Sequence, residues 1–398
     1  MRRLLILASA IVFVDTMFFA AIVPLLPGLS DEFGLSKTEA GILSGSYAAG
    51  TLIAAIPGGM LAARLGPRRT VLIGLSLMSL TGVGFALGQG IVLLDASRFL
   101  QGVGGAFSWA GALAWLVQMA PRERRGEMIG SAMAAAIAGV LAGPALGAAA
   151  DAVGRGPMFL AVSLVGLGMI ALTLRVEAPP RVPSSVGGLA RAARSSAVRF
   201  GMVLILVPGL VFGAIEVLVP LELDDLGAGS GAIAAVFLLA AGLEAIVAPV
   251  AGRISDRRGR LGPSAVGLAA SVIAVIVISL PDSALALGVV VVVAAPWIGM
   301  LWSPAMAMLS DGAESSGVDQ GLAFGIVNLG WGLGHTAGAI AMPAVADAST
   351  DDAAYGLVAA LTAATLVMLL ASRASVERAI ATSASGVAPP RDGENPVT

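Results

Sequence analysis

Apolar runs of about twenty residues, each ended by charge, glycine or proline, recur twelve times along the chain. A hydrocarbon core of about 30 Å needs about 20 such residues in a helix, so each run predicts a membrane-crossing helix. The spans are Leu4–Leu26, Glu39–Ala62, Arg69–Gly88, Ile91–Met119, Gly126–Ala150, Pro157–Leu174, Phe200–Leu221, Gly231–Gly252, Pro263–Leu280, Ser283–Leu309, Gln320–Ala346 and Ala353–Ala371. The first starts just after Arg2 and Arg3 but stays apolar past Asp15 as far as Pro27. That is longer than the apolar core of a cleaved signal peptide, and it is read as a retained helix.

Twelve crossings put both termini on one side, and twenty of the 23 basic residues fall there. Lys37 and Arg155 fall on the other side, and Arg98 lies in or near a span. The positive-inside rule makes the basic side cytoplasmic, which predicts a bacterial inner-membrane protein with both termini inside. Acidic residues collect opposite, among them Asp31, Glu32, Asp151, Glu222, Asp225, Asp282, Asp347, Asp351 and Asp352. The loop holding Asp311, Glu314 and Asp319 breaks this partition, since the topology places it inside.

Composition removes several classes of chemistry. Only 12% of the 398 residues are charged, against about a quarter in soluble chains. With no cysteine and one histidine, there is no disulfide framework, thiolate metal site or histidine cluster. The single lysine, Lys37, follows Leu35-Ser36, so no phosphate-binding Gly-Lys-Ser/Thr loop exists to support ATP drive. No Ser-His-Asp set suggests an enzyme, and no cofactor or metal is expected.

The longest internal polar stretch, 175–199, contains Pro179-Pro180, Pro183 and Gly187-Gly188 and reads as a cytoplasmic linker. It separates a six-helix half, 1–174, from a second, 200–372; the tail 373–398 is expected to be disordered. An internal repeat supports the division: Gly59-Met-Leu-Ala-Ala-Arg-Leu-Gly66 aligns with Gly252-Arg-Ile-Ser-Asp-Arg-Arg-Gly259, 193 residues on. Val23-Pro24-Leu25 similarly echoes Val219-Pro220-Leu221. Two matching halves place a binding site between them near the bilayer midplane, with access alternating as they rock.

At these residues the chain resembles the major facilitator superfamily, whose loop between helices two and three has the form G-x-L-A-D-R-x-G-R-R/K. Gly59, Leu61, Ala62, Arg64, Gly66, Arg68 and Arg69 fit it, while Ala63 stands where the family has aspartate. The second copy keeps Asp256, beside Arg257 and Arg260. The resemblance implies twelve helices in two pseudo-symmetric six-helix halves. Arg98-Phe-Leu-Gln101-Gly102 is similar to the family's fourth-helix motif associated with proton coupling. Gly139-Val-Leu-Ala-Gly143-Pro144-Ala-Leu-Gly147 is similar to the fifth-helix motif of its drug:proton antiporters. Gly139, Gly143 and Gly147 also share one helix face and suit close helix approach, while Pro144 removes a backbone hydrogen bond. A weaker likeness, to vesicular monoamine transporters, rests on Asp15 with Pro24 and Pro27 and on Glu216 with Pro220. Tyr47, Trp302 and Asn328 stand where those proteins carry charged groups.

Ionisable groups at bilayer depth are costly and need a partner, a wet cavity or a role. Asp15, Glu216, Glu244, Arg98 and His335 are the candidates for proton coupling. In a carboxylate taken out of water the proton is favoured, and an approaching cation opposes it, so proton and cation compete. Asn328, Trp331 and His335 lie on one face of the eleventh span. His335 suits either a proton relay or a structural hydrogen bond. Trp297 and Trp302, and Trp109 and Trp115, suit either stacking on aromatic or cationic substrates or a place near the membrane–water interface, where tryptophan is enriched. Tyr47 and Gln101 complete the cavity candidates by helix phase.

The resulting expectation is a proton-driven exporter of a small cationic or amphipathic organic molecule, monomeric, with the bilayer, protons and the substrate as its only partners and no nucleic acid. The rivals are a proton-coupled importer of a small metabolite and a non-transporting membrane receptor on the same fold.

Overall fold

The computed structural model describes residues 2–120, 124–178, 188–318 and 320–372, with the backbone alone at 125–127, 189, 190, 256, 314, 320 and 321. The expected tail, and residues 179–187 of the expected linker, lie outside the described residues. In a bilayer every backbone polar group must be satisfied within the protein, and long, uniformly apolar runs meet that demand as helices, whose bonds stay within one segment.

The first crossing pairs α1 (Arg2–Ala20) with α2 (Leu26–Phe33), joined through a 3-10 turn at Val23–Leu25. It therefore reaches seven residues past the expected Leu26. Pro24 and Pro27 lack the amide hydrogens that a continuous ladder would use. Five crossings follow: α3 (Lys37–Leu65), α4 (Pro67–Leu87), α5 (Ile91–Met119), α6 (Arg125–Val153) and α7 (Arg155–Arg175). Ser36 and Glu39 form a reciprocal capping box at the start of α3.

After a short α8 (Leu189–Arg194) come α9 (Ser196–Asp225), α10 (Ser230–Arg258) and α11 (Leu261–Ile278). The tenth crossing is not one helix as expected but two. α12 (Ala284–Gly299) and α13 (Trp302–Ser315) are separated by a turn at Met300 and Leu301. The eleventh runs from α14 (Gln320–Thr336) through a π-helical turn at Ala337–Ala341 into α15 (Met342–Ala348). α16 (Asp351–Ala371) is the twelfth, with Thr350 capping a first turn that carries Asp351 and Asp352.

Twelve crossings thus form two six-helix halves, and the internal repeat is written in the backbone. Gly66 (φ 90°) ends α3 and Gly259 (φ 83°) ends α10, the same left-handed turn 193 residues apart. The other echo diverges: Pro24 breaks its helix, whereas α9 continues through Pro220.

Missing side chains set the helix approaches. Added Cβ atoms at Gly139, Gly143 and Gly147 would meet Thr16, the Met17 carbonyl and Pro24 of the first crossing, so this stripe seats α6 on α1. Gly334 and Gly338 seat α14 and its π turn on Leu206 and Leu210 of α9. α6 continues through Pro144. Between the halves, α3 packs along α14 and α6 along α10.

At the arginine-rich end, Arg68 donates to the carbonyls of Thr173 (3.1 Å) and Leu174, tying α4 to α7. Arg260 forms an ion pair with Asp311. That pair accounts for acid on the basic side, since Asp311 neutralises the arginine that opens α11. Arg64, Arg69 and Arg257 are exposed, and Gly252 lies against Ser303. At the opposite end, Lys37–Asp351, Thr38–Asp347 and Ser230–Asp151 contacts tie one half to the other.

Candidate functional site

Asp15 stands at mid-helix in α1 and is 3% exposed. Each carboxylate oxygen accepts one short hydrogen bond, from the Tyr47 hydroxyl (2.6 Å, α3) and from Trp109 Nε1 (2.6 Å, α5). Room for this arrangement comes from Gly105. A Cβ there would lie 2.5 Å from Asp15 Oδ1 and 2.6 Å from the Tyr47 oxygen. Asp15 of α1 is therefore held by two other helices of its own half, α3 and α5.

Arg98, 2% exposed, lies one turn away toward the acidic end. It donates to the Phe18 and Phe19 carbonyls (both 3.2 Å) and to Gln101 Oε1 (2.9 Å). The Phe18 and Phe19 carbonyls lose part of their helical ladder where α1 ends, which gives the guanidinium its acceptors. Its plane also stands 5.1 Å from the Tyr47 ring centroid. Nε keeps no hydrogen-bond partner among the described residues.

The second half supplies Glu216 and His335. His335 Nε2 and Glu216 Oε2 lie 3.5 Å apart, beyond a good hydrogen bond, and both atoms are buried without one among the described residues. The Arg98 charge acts electrostatically on Asp15, Glu216 and His335, and Glu244 acts on Glu216. Glu244 itself packs against Gly299, at the point where the tenth crossing is interrupted.

Aromatic rings join the two halves here. Phe19 contacts Tyr47, Trp331 and His335 at centroid distances of 5.2, 5.3 and 5.2 Å, and Trp331 stacks on His335 at 5.1 Å. Tyr47, Gln101, Trp109, Trp331 and all five ionisable candidates thus belong to one neighbourhood. Asn328, half-buried, precedes Trp331 by one turn. Trp302 is half-buried at the start of α13 and makes no ring contact among the described residues. Of the two readings open for Trp297, the outward one fits: it is 47% exposed and lines a groove with Ile273, Val277 and Val293. Trp115 is buried inside the first half.

Sequence reasoning missed Phe19 and Gly105. Phe19 is four residues after Asp15 and so on its face. Gly105 lies seven residues after Arg98, within a glycine run that resembles ordinary helix packing.

A profile described as Major Facilitator Superfamily matches residues 8–321. Multidrug resistance protein 1 of Bacillus subtilis is 26% identical over 174 residues, 44% of this chain and 45% of its own length. Quinolone resistance protein NorA of Staphylococcus aureus is 26% identical over 119 residues, 30% of this chain and 31% of that protein. The chain therefore spans less than half the length of these curated relatives. A crystal structure of a bacterial homolog of the human lysosomal transporter Spinster superposes with a TM-score of 0.72 at 16% identity, covering 97% of this chain and 98% of that one. The matched profile and the twelve helices in two halves agree: the chain belongs to the Major Facilitator Superfamily.

Proposed function

We propose that the protein is a proton-driven exporter of small organic cations or amphipathic, drug-like molecules, seated in the inner membrane with its arginine-rich end in the cytoplasm. The observation that carries this reading is Glu216. It offers an unpartnered carboxylate oxygen beside His335 and the Phe19–Trp331 ring pair, at the junction of the halves. A carboxylate placed so accepts either a proton or an organic cation that stacks on the rings, and one excludes the other.

Asp15 has a different part. With both oxygens bonded to donors, it anchors Tyr47 and Trp109 and offsets the Arg98 charge, rather than presenting a free oxygen to a cation. The partial matches to proteins named for multidrug and quinolone resistance support an efflux direction and an aromatic substrate class.

Proteoliposomes carrying a pH dye test the reading. Substrate added on one side should drive protons out of the opposite side, and Glu216→Gln, which mimics the protonated carboxylate, should abolish that exchange and weaken cation binding. Substrate and protons moving in the same direction would indicate an importer instead. No movement with any member of a panel of organic cations and neutral amphiphiles would favour a receptor.

A further inference from the structure

The acidic end of the bundle carries ionisable groups that the central site does not use. Lys37, the only lysine, places Nζ 2.6 Å from both carboxylate oxygens of Asp351. Thr38 donates its amide (2.8 Å) and hydroxyl (2.6 Å) to Asp347. These contacts latch α3 of one half to α15 and α16 of the other. Beside the latch are two sealed polar atoms without hydrogen-bond partners among the described residues: Glu222 Oε2, near the end of α9, and the hydroxyl of Tyr355, which is 1% exposed in α16. The two interact electrostatically, and each also feels Asp351 and Asp352. Lys37 and Asp225 complete the charges acting on Glu222, while Asp224 feels Asp31 of α2.

One ammonium therefore stands among the carboxylates of Glu222, Asp225, Asp351 and Asp352, and both oxygens of Asp351 already hold it. Glu222, itself half-buried, is left with one sealed oxygen that has no donor among the described residues. Such an oxygen is costly when ionised and tolerable when protonated. Opening the latch admits water to Glu222 and removes that cost. We infer that Glu222, with Tyr355 beside it, is a second proton-binding site, and that the latch closes on its protonated form. The inference rests on the proton-coupled reading and gives that cycle its return step: a proton taken from outside favours closure there and exposes the site inward.

The chain has no cysteine, so paired nitroxide labels can be placed without background. Gly90→Cys and Asp282→Cys lie in loops of the two halves at this end. An added Cβ at Gly90 meets nothing, and Asp282 is exposed. In liposomes, lowering the pH from about 8 to about 5.5 should shift the label distances toward the short, latched population, by up to about tenfold in population ratio per pH unit for one proton. Glu222→Gln should stay latched at both pH values, and Glu216→Gln should keep the response. A parent that ignores pH overturns the inference, as does a response that survives in Glu222→Gln. A response that depends on Glu222 in a protein whose transport proves independent of protons would support this site and defeat the proposed function alone.

Discussion

Phe19 of α1 meets Trp331 of α14 edge-on, with ring centroids 5.3 Å apart and planes at 74°. The contact crosses from one half to the other, one turn from Asp15 and one turn from His335. Any rocking of the halves must separate these rings or carry one along the other.

Phe19→Ala should therefore act on substrate and conformation together. Each aromatic pair contributes about 0.5–1.5 kcal/mol beyond area burial, and Phe19 makes two across the interface, with Trp331 and His335. Binding of an aromatic cation, followed by tryptophan fluorescence, should weaken by about tenfold. An aliphatic ammonium ion should lose less. Equal losses for both ligands would show that Phe19 acts only as a structural wedge.

Tyr47→Phe removes one of the two donors to Asp15. Hydrogen bonds to a charged group are worth about 1.5–3 kcal/mol, so the melting temperature in detergent should fall clearly. Asp15→Asn should cost less on the Tyr47→Phe background than alone. Additive losses would mean that the 2.6 Å contact contributes little.

Gly105→Ala should be disruptive, although alanine favours helices. The new methyl would displace Asp15 or Tyr47, at a cost of about 1–3 kcal/mol from overpacking. Gly130→Ala is the control, since a Cβ there meets nothing, and it should be neutral or slightly stabilising. Comparison of the two melting temperatures decides the point.

Much of the architecture was legible because membrane crossing demands long apolar runs, and both the runs and the arginine partition are local properties. The break at Met300–Leu301 and the π turn after Thr336 were not legible, because hydropathy stays high through both. Asp15, Arg98, Glu216, Glu244 and His335 were visible as ionisable residues in apolar sequence. What the sequence could not supply was pairing. Asp15 reads as a lone buried acid until Tyr47 and Trp109, distant in the chain, close on its two oxygens. Glu216 and His335 meet from different helices. The Lys37–Asp351 latch joins residues 314 apart.

Asp347 sets a separate pH limit on that latch. Burial pushes its carboxyl up, but hydrogen bonds from the Thr38 hydroxyl and amide and the Lys37 amide outweigh this and hold it below the ordinary carboxylate value. A lowered pKa means that the contact stabilises the closed end above the ordinary carboxylate range, and that this support disappears as pH falls through the lowered value. Label distances at the acidic end should therefore lengthen again in strong acid. Asp347→Asn should lack that second transition while keeping the one assigned to Glu222.

The central claim, that one buried site serves proton and cation in turn, is tested most directly by proton release on binding. Tetraphenylphosphonium would be added to purified protein in weakly buffered detergent solution containing a pH dye. The parent should acidify the medium as the cation binds, whereas Glu216→Gln, fixed in the proton-bound form, should bind the cation weakly and release no protons. Cation binding that releases no protons from the parent, or an undiminished release from Glu216→Gln, would contradict it.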